Sequence, residues 1–194
     1  CEAGDYCPKG STEPIECPPG SFCPPKSDVP QKCDVAGYYC APGSKNATDE
    51  DRKCMGGYYC PPGSESPKGK VGETTEHKCP VGYYCPEGSS DFTSDPAAAC
   101  EPGMHCPAGT VEFKYCDSGY YCPVDEQTDR PNGEKIECPK GHYCGIGYDD
   151  PVECEAGTYN DQEGQNRQGC RTCTEEGSYC PKGSESALDC PEGY

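Results

Sequence analysis

Cys79-Pro80-Val81-Gly82-Tyr83-Tyr84-Cys85-Pro86-Glu87-Gly88-Ser89 decides how this chain is read. It runs Cys, two residues, Gly, one residue, Tyr, Cys, Pro, one residue, Gly, Ser. The opening cysteine recurs at Cys1, Cys17, Cys33, Cys54, Cys79, Cys100, Cys116, Cys138, Cys154 and Cys173, with a partial copy at Cys190. A glycine follows each at the third or fourth place, from Gly4 and Gly20 to Gly177 and Gly193. An aromatic sits two residues later in Tyr6, Phe22, Tyr39, Tyr59, Tyr84, Tyr121, Tyr143, Tyr159 and Tyr179, and His105 takes that place once. A second cysteine comes next in Cys7, Cys23, Cys40, Cys60, Cys85, Cys106, Cys122, Cys144 and Cys180. A repeat held in register this often defines the architecture. Residues 1–194 form one continuous array of about ten cysteine-rich repeats.

Each part of the unit has a physical reading. The glycine supplies a positive φ or a close backbone approach at a tight turn. The tyrosine offers an apolar face with a polar tip, suited to covering a disulfide in a module without a core. In the pairs Tyr38-Tyr39, Tyr58-Tyr59, Tyr83-Tyr84 and Tyr120-Tyr121 the second ring is assigned that role, and the first is the freer surface for a partner. The Pro-x-Gly-Ser segment is turn chemistry again. These signals predict strands of two to four residues in small hairpins, mostly loops and turns, and essentially no helix. Near-identical modules that touch mainly their neighbours would build an elongated rod.

Composition explains why cross-links are needed. The chain of 194 residues holds 21 cysteines, no Trp, and only 14 Leu, Ile, Val and Phe together. So little apolar material cannot offset the conformational entropy of folding, and disulfides are the available substitute. Disulfides at this density predict an extracellular or cell-surface location. The chain starts on Cys1 and stops inside a copy of the motif, so it is expected to be a fragment of a longer protein. The formal charge of −18 argues against nucleic-acid binding and against adhesion to anionic lipid, both of which need Lys and Arg. No apolar run is long enough for membrane insertion of this segment.

One copy departs from the rule. Cys154-Glu155-Ala156-Gly157-Thr158-Tyr159 opens normally, but Asn160 stands at the second-cysteine place and the next cysteines are Cys170 and Cys173. This longer form, Cys, two residues, Gly-Thr-Tyr, a polar loop and Cys-x-x-Cys, resembles the ephrin-receptor-like (GCC-type) cysteine-rich repeat. More distantly it resembles tumour-necrosis-factor-receptor modules. The resemblance implies an elongated, disulfide-laddered extracellular rod with no catalytic residues to carry over.

Two regular pairings satisfy 21 cysteines. In one, each opening cysteine closes on its own second cysteine: Cys1–Cys7, Cys17–Cys23, Cys33–Cys40, Cys54–Cys60, Cys79–Cys85, Cys100–Cys106, Cys116–Cys122, Cys138–Cys144, Cys154–Cys170 and Cys173–Cys180. Cys190 is then left over. In the other, each second cysteine pairs forward, as Cys85–Cys100 would, with Cys170 bonded to Cys173 and Cys1 left over. The first accounts for the irregular copy without a special case.

Candidate sites are few. Asn46-Ala47-Thr48 is a glycosylation sequon in a polar loop, and the sole one in the chain. Ser11, Ser44, Ser64, Ser89, Thr110 and Ser184 follow Pro-rich turns and are candidates for O-linked sugars, or simply finish the turn by hydrogen bonding. Cys170-x-x-Cys173 has zinc-ligand spacing but is read as structural among so many cysteines. Asp49-Glu50-Asp51 and Asp149-Asp150 can attract calcium, yet neither matches the EF-hand pattern, and a solvated acidic loop is the simpler reading. His77, His105 and His142 are scattered. No catalytic residues, metal site or cofactor are assigned, and the chain is read as not an enzyme.

The expected function is that of an acidic, glycosylated structural protein: a rod, stalk or filament of a surface appendage, matrix or glycocalyx. Its partners would be neighbouring repeats and copies of itself. The alternative is the ligand-binding ectodomain of a cell-surface receptor.

Overall fold

Two turns recur through the repeats. In the first, the residue after the motif glycine donates its N–H back three residues, as Ser21 does to Pro18 O (3.2 Å) and Tyr58 to Met55 O (3.1 Å). In the second, the Ser of Pro-x-Gly-Ser does the same, as Ser64 to Pro61 O (3.2 Å) and Ser89 to Pro86 O (3.2 Å). The glycine between has φ of +74° at Gly20 and +82° at Gly88, the positive value that the third residue of a type II turn requires. Lys26 occupies the glycine place of the second repeat and is held at φ +66°. Such a conformation costs a residue with a Cβ about 1–2 kcal/mol, so Lys26→Gly is expected to stabilise that turn by about 1 kcal/mol. Slower amide exchange at Ser27 would register it.

The computed structural model describes residues 1–93 and 99–191. Gly193 of the partial last repeat lies outside them. Among the described residues there is no α-helix. Eight two-stranded antiparallel hairpins of two-residue strands and single 3-10 turns at Glu50–Arg52 and Arg167–Gly169 are joined by loops. Several hairpins set the motif aromatic against the residue two places before the next cysteine: Tyr6 opposite Ile15, Tyr121 opposite Ile136, Tyr143 opposite Val152, and Tyr179 opposite Leu188. Aromatic rings facing branched aliphatic side chains are favourable cross-strand pairs. In three of the longer repeats the hairpin is a single bridge, at Tyr38–Lys53, Tyr58–Lys78 and Tyr83–Ala99.

Four backbone hydrogen bonds then repeat. At the end of most repeats the next opening cysteine donates to the motif glycine, as Cys33 to Gly20 O (2.9 Å) and Cys54 to Gly37 O (2.8 Å). Neighbouring repeats join when that glycine donates to the following repeat's second cysteine, as Gly20 to Cys40 O and Gly37 to Cys60 O, both 2.8 Å. The second cysteine itself donates to the next repeat's turn serine, as Cys40 to Ser64 O (2.8 Å). The turn glycine donates backwards to the preceding repeat's opening cysteine, as Gly88 to Cys54 O (2.9 Å). The motif positions are therefore read by the backbone of adjacent repeats as well as by their own turns.

Contact also extends to the second neighbour, beyond the nearest-neighbour scheme expected of a repeat rod. The motif glycine of one repeat lies under the turn glycine two repeats on. A Cβ on Gly4 would sit 2.8 Å from Gly43 O and one on Gly57 2.6 Å from Gly109 O. The approaches of Gly37 to Gly88, Gly103 to Gly147, Gly119 to Gly164 and Gly141 to Gly183 are closer still. Real Cβ atoms do not enter this range, so the missing side chain is what permits the stacking. The chain divides into two compact units, Cys1–Ala99 with Ala108–Glu112, and Cys100–Pro107 with Phe113–Tyr194. Each of these glycine contacts falls inside one unit.

The core of each unit is sulfur. Sixteen cysteines are buried, and Met104 and Pro131 are the other apolar side chains with them among the described residues. The disulfides are Cys1–Cys7, Cys17–Cys23, Cys33–Cys40, Cys54–Cys60, Cys79–Cys85, Cys100–Cys106, Cys116–Cys122, Cys138–Cys144, Cys154–Cys170 and Cys173–Cys180. Cys190 is a free thiol, half-buried.

Candidate functional site

The Pro-x-Gly-Ser serines are structural groups in this fold. Four of the hydroxyls donate to the carbonyl three residues back: Ser44 to Ala41 O (2.6 Å), Ser64 to Pro61 O (2.7 Å), Ser89 to Pro86 O (2.7 Å) and Ser184 to Pro181 O (2.6 Å). Ser44 and Ser64 have no exposed surface, and the Arg52 guanidinium closes over the Ser44 hydroxyl. O-linked sugars on these two cannot be accommodated in the folded chain, because the residues are fully buried with their hydroxyls bonded to nearby carbonyls. Ser11 is exposed, while Ser89, Thr110 and Ser184 are half-buried. Asn46 is exposed in the loop before the Glu50–Arg52 turn, with its amide side chain open to modification.

The paired tyrosines divide the work differently from the sequence reading. Both members are half-buried, and the first is engaged. The Lys68 ammonium lies 5.5 Å from the Tyr58 ring centre and that of Lys135 lies 4.5 Å from Tyr120, within cation–π range. Tyr83 meets Phe92 edge-on at 5.1 Å. Phe92 also touches Tyr59, which stacks against His77 (5.0 Å). Burial, then the Asp91 carboxylate, pushes the Tyr59 hydroxyl above its ordinary range.

The remaining candidates are absorbed by local structure. Cys170 and Cys173 are each bonded to other cysteines, so they present no thiolates for zinc. Asp49 caps the Glu50–Arg52 turn through the Asp51 N–H (3.3 Å), and Glu50 pairs with Lys53 (2.6 Å). His77 Nδ1 meets Gly69 O, and His142 Nδ1 meets Lys140 O at 2.9 Å. Among the described residues no three His, Cys, Asp or Glu side chains converge to share a metal ion. Surface ion pairs tune a few groups. The Lys135 ammonium beside Asp117 holds its carboxyl below the usual range, and Lys182, 2.8 Å from Glu153, does the same there.

The irregular repeat contributes the residue whose role the sequence left blank. Asn160 is buried. Its backbone accepts from Gly141 (2.8 Å) and donates to Ser184 O (3.0 Å), the bonds made elsewhere by a second cysteine. Its side-chain Nδ2 donates to His142 O (2.7 Å) and its Oδ1 accepts from Gln162 N (3.1 Å). A hydrogen-bonded amide thus fills the place of a disulfide sulfur, and Cys154 reaches sixteen residues on to Cys170 instead. Asn160→Ala would strand those two partners. A cost of about 1–3 kcal/mol is expected, read as faster hydrogen exchange at the Gly141, Gln162 and Gly164 amides.

The fold and its ten disulfides define a cysteine-rich tandem-repeat protein that needs an oxidising compartment to form. No helix among the described residues is long and apolar enough to cross a membrane. No protein-family model matches the chain. A stretch of 60 residues is 37% identical to the ABC-type transporter claG of Penicillium crustosum. The match covers 31% of this chain, which spans 7% of the transporter's length.

Proposed function

We propose that the chain is an extracellular structural array of ephrin-receptor-like type, serving as a rod, stalk or filament of a cell-surface appendage, matrix or glycocalyx. The observation that carries this reading is the recurring ladder. Within each unit a repeat bonds the next and touches the one after that, an arrangement that can be extended by adding identical units. Disulfides make such an array durable. The charge of −18, with a glycan on Asn46, keeps its flanks hydrated. Electron microscopy of the chain before and after reduction tests the proposal. Elongated particles that lose their shape in reductant are expected. Compact globules that survive reduction would overturn it.

A second reading, a ligand-binding ectodomain, is favoured by one observation. Phe113 and Tyr115 pack edge-on with ring centres 6.3 Å apart, and Tyr115 remains 57% exposed, as does 72% of Ile146. Capture of a protein partner that is lost in Tyr115→Ser would favour this reading over the first.

A further inference from the structure

An open depression of about 270 Å³ lies in the irregular repeat, lined by Asn160, Gln162, Gln165, Gln168, Gly169 and Arg171. Four of these six carry a carboxamide, and none carries a carboxylate. Two of the amides, those of Asn160 and Gln165, are held in place. Asn160 is buried and bonded at both ends of its amide. Gln165 is fixed by its backbone carbonyl, which accepts from Cys144 N (2.9 Å). Its Nε2 is shared between Gln162 Oε1 and Glu163 O, both at 3.3 Å. Asn166 caps the Arg167–Gly169 turn by accepting from Gln168 N (3.0 Å), which sets Gln168 on the rim. Gly169 leaves the space open, since a Cβ there would run into the Gln165 side chain.

The polar capacity of this wall is not used up. The NH2 of Gln162 and the whole amide of Gln168 have no side-chain hydrogen bond among the described residues. A carboxamide presents a donor and an acceptor side by side, which is what vicinal hydroxyls complement, because each hydroxyl both donates and accepts. Charged ligands fit less well. Arg171 is spent on Asp161 and lies over the Tyr159 ring (5.5 Å), so it offers little to an anion in a chain of charge −18. A cation would find no carboxylate in the lining. The volume is just under the roughly 300–1,000 Å³ of drug-sized sites, room for a single sugar ring.

We infer that this depression is a binding site for a neutral sugar unit, held by the amides of Gln162, Gln165 and Gln168 above a fixed Asn160 floor. The site is independent of the rod proposal, which stands or falls on shape. The fixed Asn160 and Gln165 amides lower the ordering cost of binding, while the exposed Gln162 and Gln168 side chains must be ordered by the ligand, so a dissociation constant in the millimolar range is expected. The test is a side-chain amide NMR titration of the 194-residue chain with the methyl glycosides of glucose, galactose, mannose and N-acetylglucosamine. At least one glycoside is expected to shift the Gln162, Gln165 and Gln168 NH2 signals saturably. Gln162→Leu and Gln168→Leu, both on exposed positions, are each expected to weaken that binding tenfold or more while leaving the backbone spectrum of the other repeats unchanged. No saturable shift at those amides with any of the four glycosides would overturn the inference, as would equal binding by both variants.

Discussion

Full reduction of the ten disulfides is expected to unfold the chain completely, with collapse of amide dispersion and loss of protection at every ladder amide. The reason is quantitative. Nine of the bonds close loops with separations of six or seven residues and one closes a separation of sixteen. In the chain-entropy model each short loop contributes about 2 kcal/mol and the long one about 3 kcal/mol. Against that, Met104 and Pro131 are the buried apolar side chains besides cysteine among the described residues, and burying Met104 contributes about 1.5–3 kcal/mol. Nothing else in the interior can replace the cross-links. Even the burial contributed by the cysteines depends on the bonds, because it is the disulfide that draws the pair together. A dispersed amide spectrum persisting in reductant would show that the backbone ladder sustains itself and would overturn this account.

The second large effect is expected from one methyl group. Gly57 and Gly157 occupy the same place in their repeats, with φ of +83° and +85°. A Cβ on Gly57 would lie 2.6 Å from Gly109 O, whereas one on Gly157 would meet nothing within 4 Å. Alanine at either place incurs the left-handed conformation, about 1–2 kcal/mol. At Gly57 it must also push apart two backbones that are bonded to other repeats, and overpacking of this sort adds about 1–3 kcal/mol. Gly157→Ala is therefore expected to cost about 1–2 kcal/mol and Gly57→Ala about 2–5 kcal/mol. Hydrogen exchange at Gly57, Cys79 and Gly109, against Gly157 and Cys173, measures both. Equal costs would mean that the second-neighbour contact carries no energy and that the glycines serve their turns alone.

That comparison separates two reasons for one residue type. A glycine at Gly57 or Gly157 is legible in the sequence as a turn former, since Cys-x-x-Gly-Tyr has turn spacing whether or not anything lies over it. Its second duty, admitting a backbone from two repeats away, leaves no local mark. The same holds for Ser44 and Ser64. Their residue type suits both a glycan acceptor and a turn hydroxyl, and burial in the ladder decides between them. Tyr58 and Tyr120 look free in the sequence because their immediate neighbours do not cover them. Lys68 and Lys135, further along the chain, do.

The sequence alone determined the kind of protein this is. The fixed spacing of Cys, Gly, Tyr and Pro dictates turns, short hairpins and an absence of helix. The poverty in Leu, Ile, Val and Phe dictates a sulfur core, because local spacing and composition are properties of the chain itself. It left two pairings of the cysteines open, since both are regular and both account for all but one of them. The tertiary structure joins Cys79 to Cys85 and Cys154 to Cys170, seats Asn160 where a sulfur would be, and lays Gly57 under Gly109. The last two depend on which backbones meet across repeats, and the pairing on which sulfurs the folded turns bring together, relations in space that local spacing does not encode.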